Sequence, residues 1–224
     1  VKYLTENLTE SGADARAAAV NGGPRTALTR TLIASAALGV LDEEGVDSLT
    51  LREVARRLEV KASSLYNHVR SKSEILDLVT ELIVSKVDLS LLEGPDWRAG
   101  LRHFATTYRD AFLAHPNAAA VIARRAVETP TALRYYARSV ALLTEAGWPP
   151  ATALEIVLAV DYIVMGSIIV PFSTGFVRPP ASYGADHAPL AAAISAVDPA
   201  TVDDTAFRAT LEAYLTGLGD PLAG

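Results

Sequence analysis

The sequence predicts an all-α protein, with an N-terminal three-helix helix-turn-helix unit ahead of a larger helical bundle. Three observations predict this. Apolar residues recur at three- and four-residue steps along most of the chain, and no segment alternates with the two-residue period of a strand. Two Ser/Thr-x-x-Glu pairs, Thr50 with Glu53 and Ser71 with Glu74, mark two closely spaced helix starts. Half of the 224 residues are hydrophobic and 21% are charged, enough to bury a sizeable core and too apolar for disorder.

The elements follow in order. Residues 1–23 lack sustained periodicity and end at the breaker cluster Asn21-Gly22-Gly23-Pro24, so they read as a flexible tail. With Lys2 and Arg16 against Glu6, Glu10 and Asp14, this tail is a poor candidate for gripping phosphate. A first helix runs from about Thr26 to Glu44, with Leu32, Ile33, Ala36, Ala37, Val40 and Leu41 as its apolar stripe and Gly45 as its stop. A short second helix starts at Thr50 and buries Leu51, Val54, Ala55 and Leu58. A third, Lys61 to His68, turns Leu65 inward. The Ser71 cap opens a long fourth helix, read as reaching Leu92, with Ile75, Leu76, Val79, Leu82, Ile83 and Val87 on its inner face. Residues 24–73 thus form the first domain and 74–224 the second.

In the second domain Asp96 caps a helix to about Ala114. Thr129-Pro130 opens one that ends at Gly147, and Pro149-Pro150 opens an apolar one to Phe172. Residues 173–189, with Gly175, Pro179, Pro180 and Gly184, read as a loop, and a last helix spans Asp203 to Leu218. The stretch from Ala153 to Phe172 has the length of a membrane span. Glu155 and Asp161 lie within it, each costing about 2.5–3.5 kcal/mol near a bilayer centre, so it is expected to pack inside protein and no membrane partner is expected.

Composition narrows the function. Without cysteine, disulfides, thiolate catalysis, iron–sulfur clusters and cysteine-ligated zinc are excluded. The sequence shows no secretory signal, and a cytoplasmic location is expected. His103, His115 and His187 have no zinc spacing, and no nucleophile–base pair or pair of acids stands out. No catalytic residue, metal or cofactor is therefore expected. Net charge is −6, but residues 21–73 hold eight basic and six acidic side chains, leaving −8 on the remainder. A polyanion would meet the N-terminal segment and be repelled elsewhere.

Two short helices joined by a tight turn suit a major-groove reader, because an α-helix fits the groove while its neighbour braces it against the backbone. The second helix offers Lys61, Ala62, Ser63, Ser64, Tyr66, Asn67 and His68. Hydroxyl, amide and imidazole groups can bond base edges or phosphates, and Ala62 can touch a thymine methyl.

The run Leu49-Thr50-Leu51-Arg52-Glu53-Val54-Ala55-Arg56-Arg57-Leu58, then Val60, then Ser64-Leu65-Tyr66-Asn67-His68-Val69, Lys72 and Leu76, resembles the DNA-binding domain of the TetR family of bacterial transcriptional regulators. The Leu65-Tyr66-x-His68-Val69 version is similar to the tetracycline repressor subgroup. The resemblance implies a homodimeric, ligand-responsive repressor on a palindromic operator. It places Thr50 and Arg52 on phosphate or a base edge, Ala62, Ser63 and Ser64 at the base-reading start of the recognition helix, and Tyr66, His68 and Lys72 on phosphate. Ala62 and Asn67 depart from the subgroup, which carries an amide and an aromatic there, so the operator is expected to differ.

In the second domain, Phe104, Tyr108 and Phe112 follow Trp97 and Leu101 at helical spacing. They are expected to wall a pocket for a largely apolar or aromatic effector, facing Tyr135, Tyr136, Asp161, Tyr162 and Met165. An acid on so apolar a helix needs a partner, expected from Tyr108, a ligand donor or an arginine across a subunit interface. The position of the metal-binding histidine of tetracycline repressors aligns with Ile122, which argues against tetracycline and against a metal site. His115-Pro116 reads as a structural turn. The two apolar helices, Ala153 to Phe172 and Asp203 to Leu218, are expected to form a four-helix interface between two copies.

Overall fold

A computed structural model describes residues 27–221, and the N-terminal segment read as a tail lies outside them. Every regular element among the described residues is helical. The first domain contains α1 (Arg30–Glu44), α2 (Leu51–Arg57), α3 (Ala62–Leu65) and the start of α4 (Lys72–Val84). The Thr29 hydroxyl accepts the Leu32 amide at 3.2 Å, so α1 begins four residues later than the apolar stripe predicts. Thr50 and Ser71 cap α2 and α4 by accepting the Glu53 and Glu74 amides, each at 3.1 Å. Neither cap closes reciprocally. Glu53 turns to Arg56 at 2.5 Å, and Glu74 accepts from the Arg70 amide at 3.0 Å.

The turn between α2 and α3 has a specific device. The amide of Val60 bonds the carbonyl of Ala55 and that of Glu59 bonds Arg56, the pair of bonds of a Schellman motif. Glu59 consequently has φ 54°, the left-handed region that glycine occupies at least cost. The predicted third helix is shorter than read. It is helical over Ala62–Leu65, and residues 66–68 continue as a turn in which both His68 and Val69 amides bond the Leu65 carbonyl. Ile33, Ala37, Val40 and Leu41 of α1 pack with Val54, Leu65, Val69, Ile75 and Val79 into a closed core. Each fully buried aliphatic side chain contributes about 1.5–3 kcal/mol.

The fourth helix ends at Val84 rather than Leu92. Ser85 donates to the Leu82 carbonyl, and the Asp88 carboxylate accepts the Ser90 amide, so local side chains compete for the backbone and a 3-10 turn over Ser90–Glu93 follows. The second domain continues with α5 (Trp97–Leu113), α6 (Pro116–Ile122), α7 (Pro130–Glu145) and α8 (Pro150–Ile169). Then come α9 (Phe172–Gly175), α10 (Ala188–Ala196) and α11 (Val202–Gly217). Periodicity gave no sign of α6, whose seven residues hold only two large apolar side chains, nor of α10, which buries none of its residues. The segment read as a loop holds α9 and two 3-10 turns.

α8 is long and apolar enough to cross a membrane, yet it packs against α5, α6, α7 and α11. Ala153, Ile156, Val157, Val160, Val164 and Ile168 face this core, while Leu154, Tyr162 and Ile169 are exposed on the other side. α11 buries Phe207, Leu211 and Leu215 and exposes Ala206, Ala209, Thr210, Ala213 and Gly217. The buried Arg109 of α5 ties the three helices, donating to the Ser167 hydroxyl at 3.0 Å and to Asp204 at 3.1 Å.

Candidate functional site

Two candidate sites lie along α4, one beside its first residues and one lined by Asp77, Thr80 and Val84. At the first, the Leu65 anchor of α3 leaves Lys61, Ser63, Tyr66 and Asn67 exposed, with Ala62, Ser64 and His68 half-buried. Tyr66 is 57% exposed, large for an aromatic side chain, and makes no hydrogen bond or ring contact among the described residues. Thr50 and Arg52 are exposed at the start of α2. Among the described residues the side chains of Arg52, Lys61 and Arg70 make no hydrogen bond or ion pair. Arg56 and Arg57 are held by Glu43, Glu44 and Glu53. On the face formed by α2, α3 and the turn after it, Arg52, Lys61 and Arg70 are thus available to a polyanion, and Arg70 is one that motif reasoning passed over. Lys72 differs from expectation. Its ammonium donates to the Val46 carbonyl at 2.5 Å, bracing α4 against the turn after α1, so only its remaining donors can reach a phosphate.

At the second site, α4, α5, the segment after α6, α7 and α8 line a partly open cavity of about 280 Å³. Tyr108, Tyr135, Tyr136, Asp161, Tyr162 and Met165 line it. The expectation for Phe104 and Phe112 is corrected. Both are fully buried behind the wall, Phe104 stacked on Tyr135 with ring centres 3.7 Å apart and Phe112 edge-on to Tyr108 at 5.1 Å. They stand one helical turn to either side of Tyr108 and fix its ring instead of meeting the cavity. Asp77, Thr80, Val84, Ile122, Arg125, Glu128, Thr129 and Leu158 also line the space. The sequence carries no local signal for them, because they converge from separate elements.

Asp161 is buried, and its partners are the hydroxyls of Tyr135, which donates at 2.9 Å, and Tyr136. Of the three alternatives read for its partner, Tyr108 makes no hydrogen bond to it, and the two phenols come from α7 instead. Burial pushes the Asp161 carboxyl up to about 6, against the two phenol hydrogen bonds that favour its ionised form. Burial and the nearby carboxylate raise all three tyrosines Tyr108, Tyr135 and Tyr136, which therefore remain neutral donors.

The two sites are connected by polar contacts. Arg125, on the cavity wall, donates to the Ser73 carbonyl at 3.2 Å, to the Ser73 hydroxyl at 2.9 Å and to Asp77 at 2.5 Å. These lie in the first turns of α4, next to the Ser71 cap and Lys72. Glu81, on the next turns of α4, accepts the amide and hydroxyl of Thr131 at the start of α7. At the start of α6, Asn117 donates to the Leu41 and Asp42 carbonyls at the end of α1, and His115 lies 2.8 Å from the Asp42 carboxylate. The His-Pro turn is thus part of the joint between domains.

A three-helix unit presenting an exposed polar and cationic helix, joined through one helix to a partly open cavity, defines a helix-turn-helix transcriptional regulator. Comparison with known proteins gives the family. The profile described as bacterial regulatory proteins, tetR family, matches residues 33–79, and that described as Tetracyclin repressor-like, C-terminal domain, matches residues 91–220. The chain belongs to the TetR family. An HTH-type transcriptional regulator of Saccharopolyspora erythraea is 38% identical over 63% of this chain and 60% of its own length. The class A tetracycline repressor from transposon 1721 of Escherichia coli is 30% identical over 86% of this chain and 91% of its own. Among solved structures, ActR of Streptomyces coelicolor in complex with actinorhodin superposes with a TM-score of 0.71. It is 25% identical, over 89% of this chain and all of that one.

Proposed function

We propose that this protein is a cytoplasmic repressor that binds a palindromic operator as a homodimer and is released when a small, largely apolar or aromatic molecule enters the cavity. The observation that carries the reading is Arg125, which belongs to the cavity wall and at the same time holds the first turns of the helix beside the DNA-reading unit. A ligand that displaces Arg125 or α4 favours one conformation of that helix, and operator favours another. The two then weaken each other's binding by the same factor.

In this reading Thr50, Arg52, Lys61, Tyr66, His68 and the free donors of Lys72 meet phosphate. Ala62, Ser63, Ser64 and Asn67 face base edges. The exposed Leu154, Tyr162 and Ile169 of α8 and the small-residue face of α11 pair with the same surfaces of a second copy. Gly166, whose missing side chain would meet nothing within 4 Å, lets the helices approach closely. The pairing sets the recognition helices about 34–36 Å apart for successive major grooves. That ActR, which superposes on this chain, is solved in complex with actinorhodin supports a small-molecule ligand here. A mobility-shift assay with the DNA upstream of the protein's own gene tests the proposal. Retardation by a dimer on a palindromic segment is expected, and no retardation with any segment of that region contradicts it.

A further inference from the structure

The charges around the cavity do not balance. Among the described residues Arg125 is the only cation lining it, and Asp77 pairs with it at 2.5 Å. Glu128 is exposed on the same wall. Asp161 lies deeper, between tyrosine rings, and no lysine, arginine or histidine forms an ion pair with it among the described residues. Two of its lone-pair directions are taken by phenols, and a carboxylate has about four. The Tyr108 hydroxyl, on the same wall, has no hydrogen-bond partner among the described residues. Around the acid, ring centres of Tyr135 and Tyr136 stand 4.8 Å apart and those of Tyr108 and Tyr135 5.9 Å apart. The hydroxyls of Tyr135 and Tyr136 meet the carboxylate and Phe104 covers a face of Tyr135, so the attraction for a cation rests on the carboxylate, with the aromatic wall around it excluding water. An anion would meet Asp161 and Glu128, and on Arg125 it would find only the Nε and Nη1 donors, because Nη2 already serves Asp77 and Ser73.

We infer that the effector cavity takes a cation: an aromatic or apolar molecule carrying a protonated amine, with the ammonium on Asp161 beside the Tyr135 and Tyr136 hydroxyls and the apolar body toward Val84, Ile122, Leu158 and Met165. This rests on the reading of the cavity as an effector site and specifies the chemistry of its ligand. The ammonium supplies the buried carboxylate with the countercharge that its own chain withholds. Tyr108 offers its free hydroxyl to a polar group on the same ligand.

The test is a charge series on one ring system, measured by titration calorimetry at neutral pH on the full chain. The probes are naphthalene bearing a methylammonium, a hydroxymethyl or a carboxylate group. The methylammonium compound is expected to bind about tenfold or more tightly than the hydroxymethyl one, and the carboxylate most weakly. Asp161→Asn should abolish the preference for the cation over the hydroxymethyl probe. Equal affinities across the series, a preference for the carboxylate, no binding of any probe at millimolar concentration, or a cation preference that survives Asp161→Asn would each overturn the inference. The outcome separates from that of the regulatory proposal. Cation-selective binding that leaves operator affinity untouched removes the coupling and keeps the charge assignment. Release from operator by an anionic ligand does the reverse.

Discussion

The proposed reading face of α2 and α3 and the proposed effector cavity in the second domain are built in opposite ways. The face consists of neighbours in sequence, residues 50–72, held outward by a few buried anchors, with Arg52, Lys61 and Arg70 left unpaired in solvent. Exposed cations cost nothing to keep hydrated and are ready for phosphate. The cavity draws residues from Asp77 to Met165, and its charged group is buried and held by phenols. Its polar group is expensive until a ligand compensates it, which makes the cavity the place where binding can drive a change of conformation.

The largest expected effect distinguishes anchor from face. Leu65 is fully buried in the first domain's core, and Leu65→Ala should cost about 2–5 kcal/mol in chemical denaturation. A loss below that range would mean that α3 is held by something other than its core contact. The next prediction concerns the buried acid. The Asp161 carboxyl lies at about 6 when folded and near 3.8 when unfolded, so the folded state binds its proton more tightly. Wild-type stability from this group is therefore full below about pH 4 and lost as pH rises through 6. Asp161→Asn should gain up to about 3 kcal/mol over wild type at neutral pH and none near pH 4, read from denaturation midpoints across pH. A difference independent of pH would show that the carboxyl is not penalised by burial.

On the face, Arg52→Ala should weaken operator and random DNA alike and reduce the salt slope by about one. Ser64→Ala and Asn67→Ala should instead change preference at particular base pairs by about 1–3 kcal/mol, read by competition with substituted operators. Uniform losses for the latter two would move them onto the backbone. Lys72→Ala gives a mixed result by this account, because it also removes the brace to Val46. The smallest effect is at the turn. Glu59→Gly relieves a positive φ and should stabilise the first domain by about 0.5–1 kcal/mol, visible as a small rise in melting temperature.

The same contrast explains how much the sequence reveals. Caps and short-range periodicity located α2, α3 and the start of α4, because Thr50, Ser71, Leu65 and Val69 act within one or two turns of themselves. They did not show where α4 ends, since Ser85 and Asp88 divert backbone bonds that the apolar run past Val84 continues to suggest. The aromatic stripe on α5 identified the cavity wall only at Tyr108. Phe104 and Phe112 lie on the same helical stripe, and which of the three meets space depends on Tyr135 crossing from α7. Asp161 announced itself by its apolar surroundings, but its two phenol partners are set by the α7–α8 packing. Arg125 carried no sequence signal at all. Its role exists only because the chain after α6 returns to the first turns of α4.

The account's central claim is that cavity and reading face are coupled through that return. Operator affinity measured by fluorescence anisotropy, with and without a saturating molecule selected for binding the cavity, tests it most directly in wild type and in Arg125→Ala. The account predicts that the ligand weakens operator binding by about tenfold or more in wild type, with an equal weakening of ligand by operator. In Arg125→Ala the ligand should still bind and the weakening should largely disappear. Equal responses in the two proteins, or none in wild type, would contradict it.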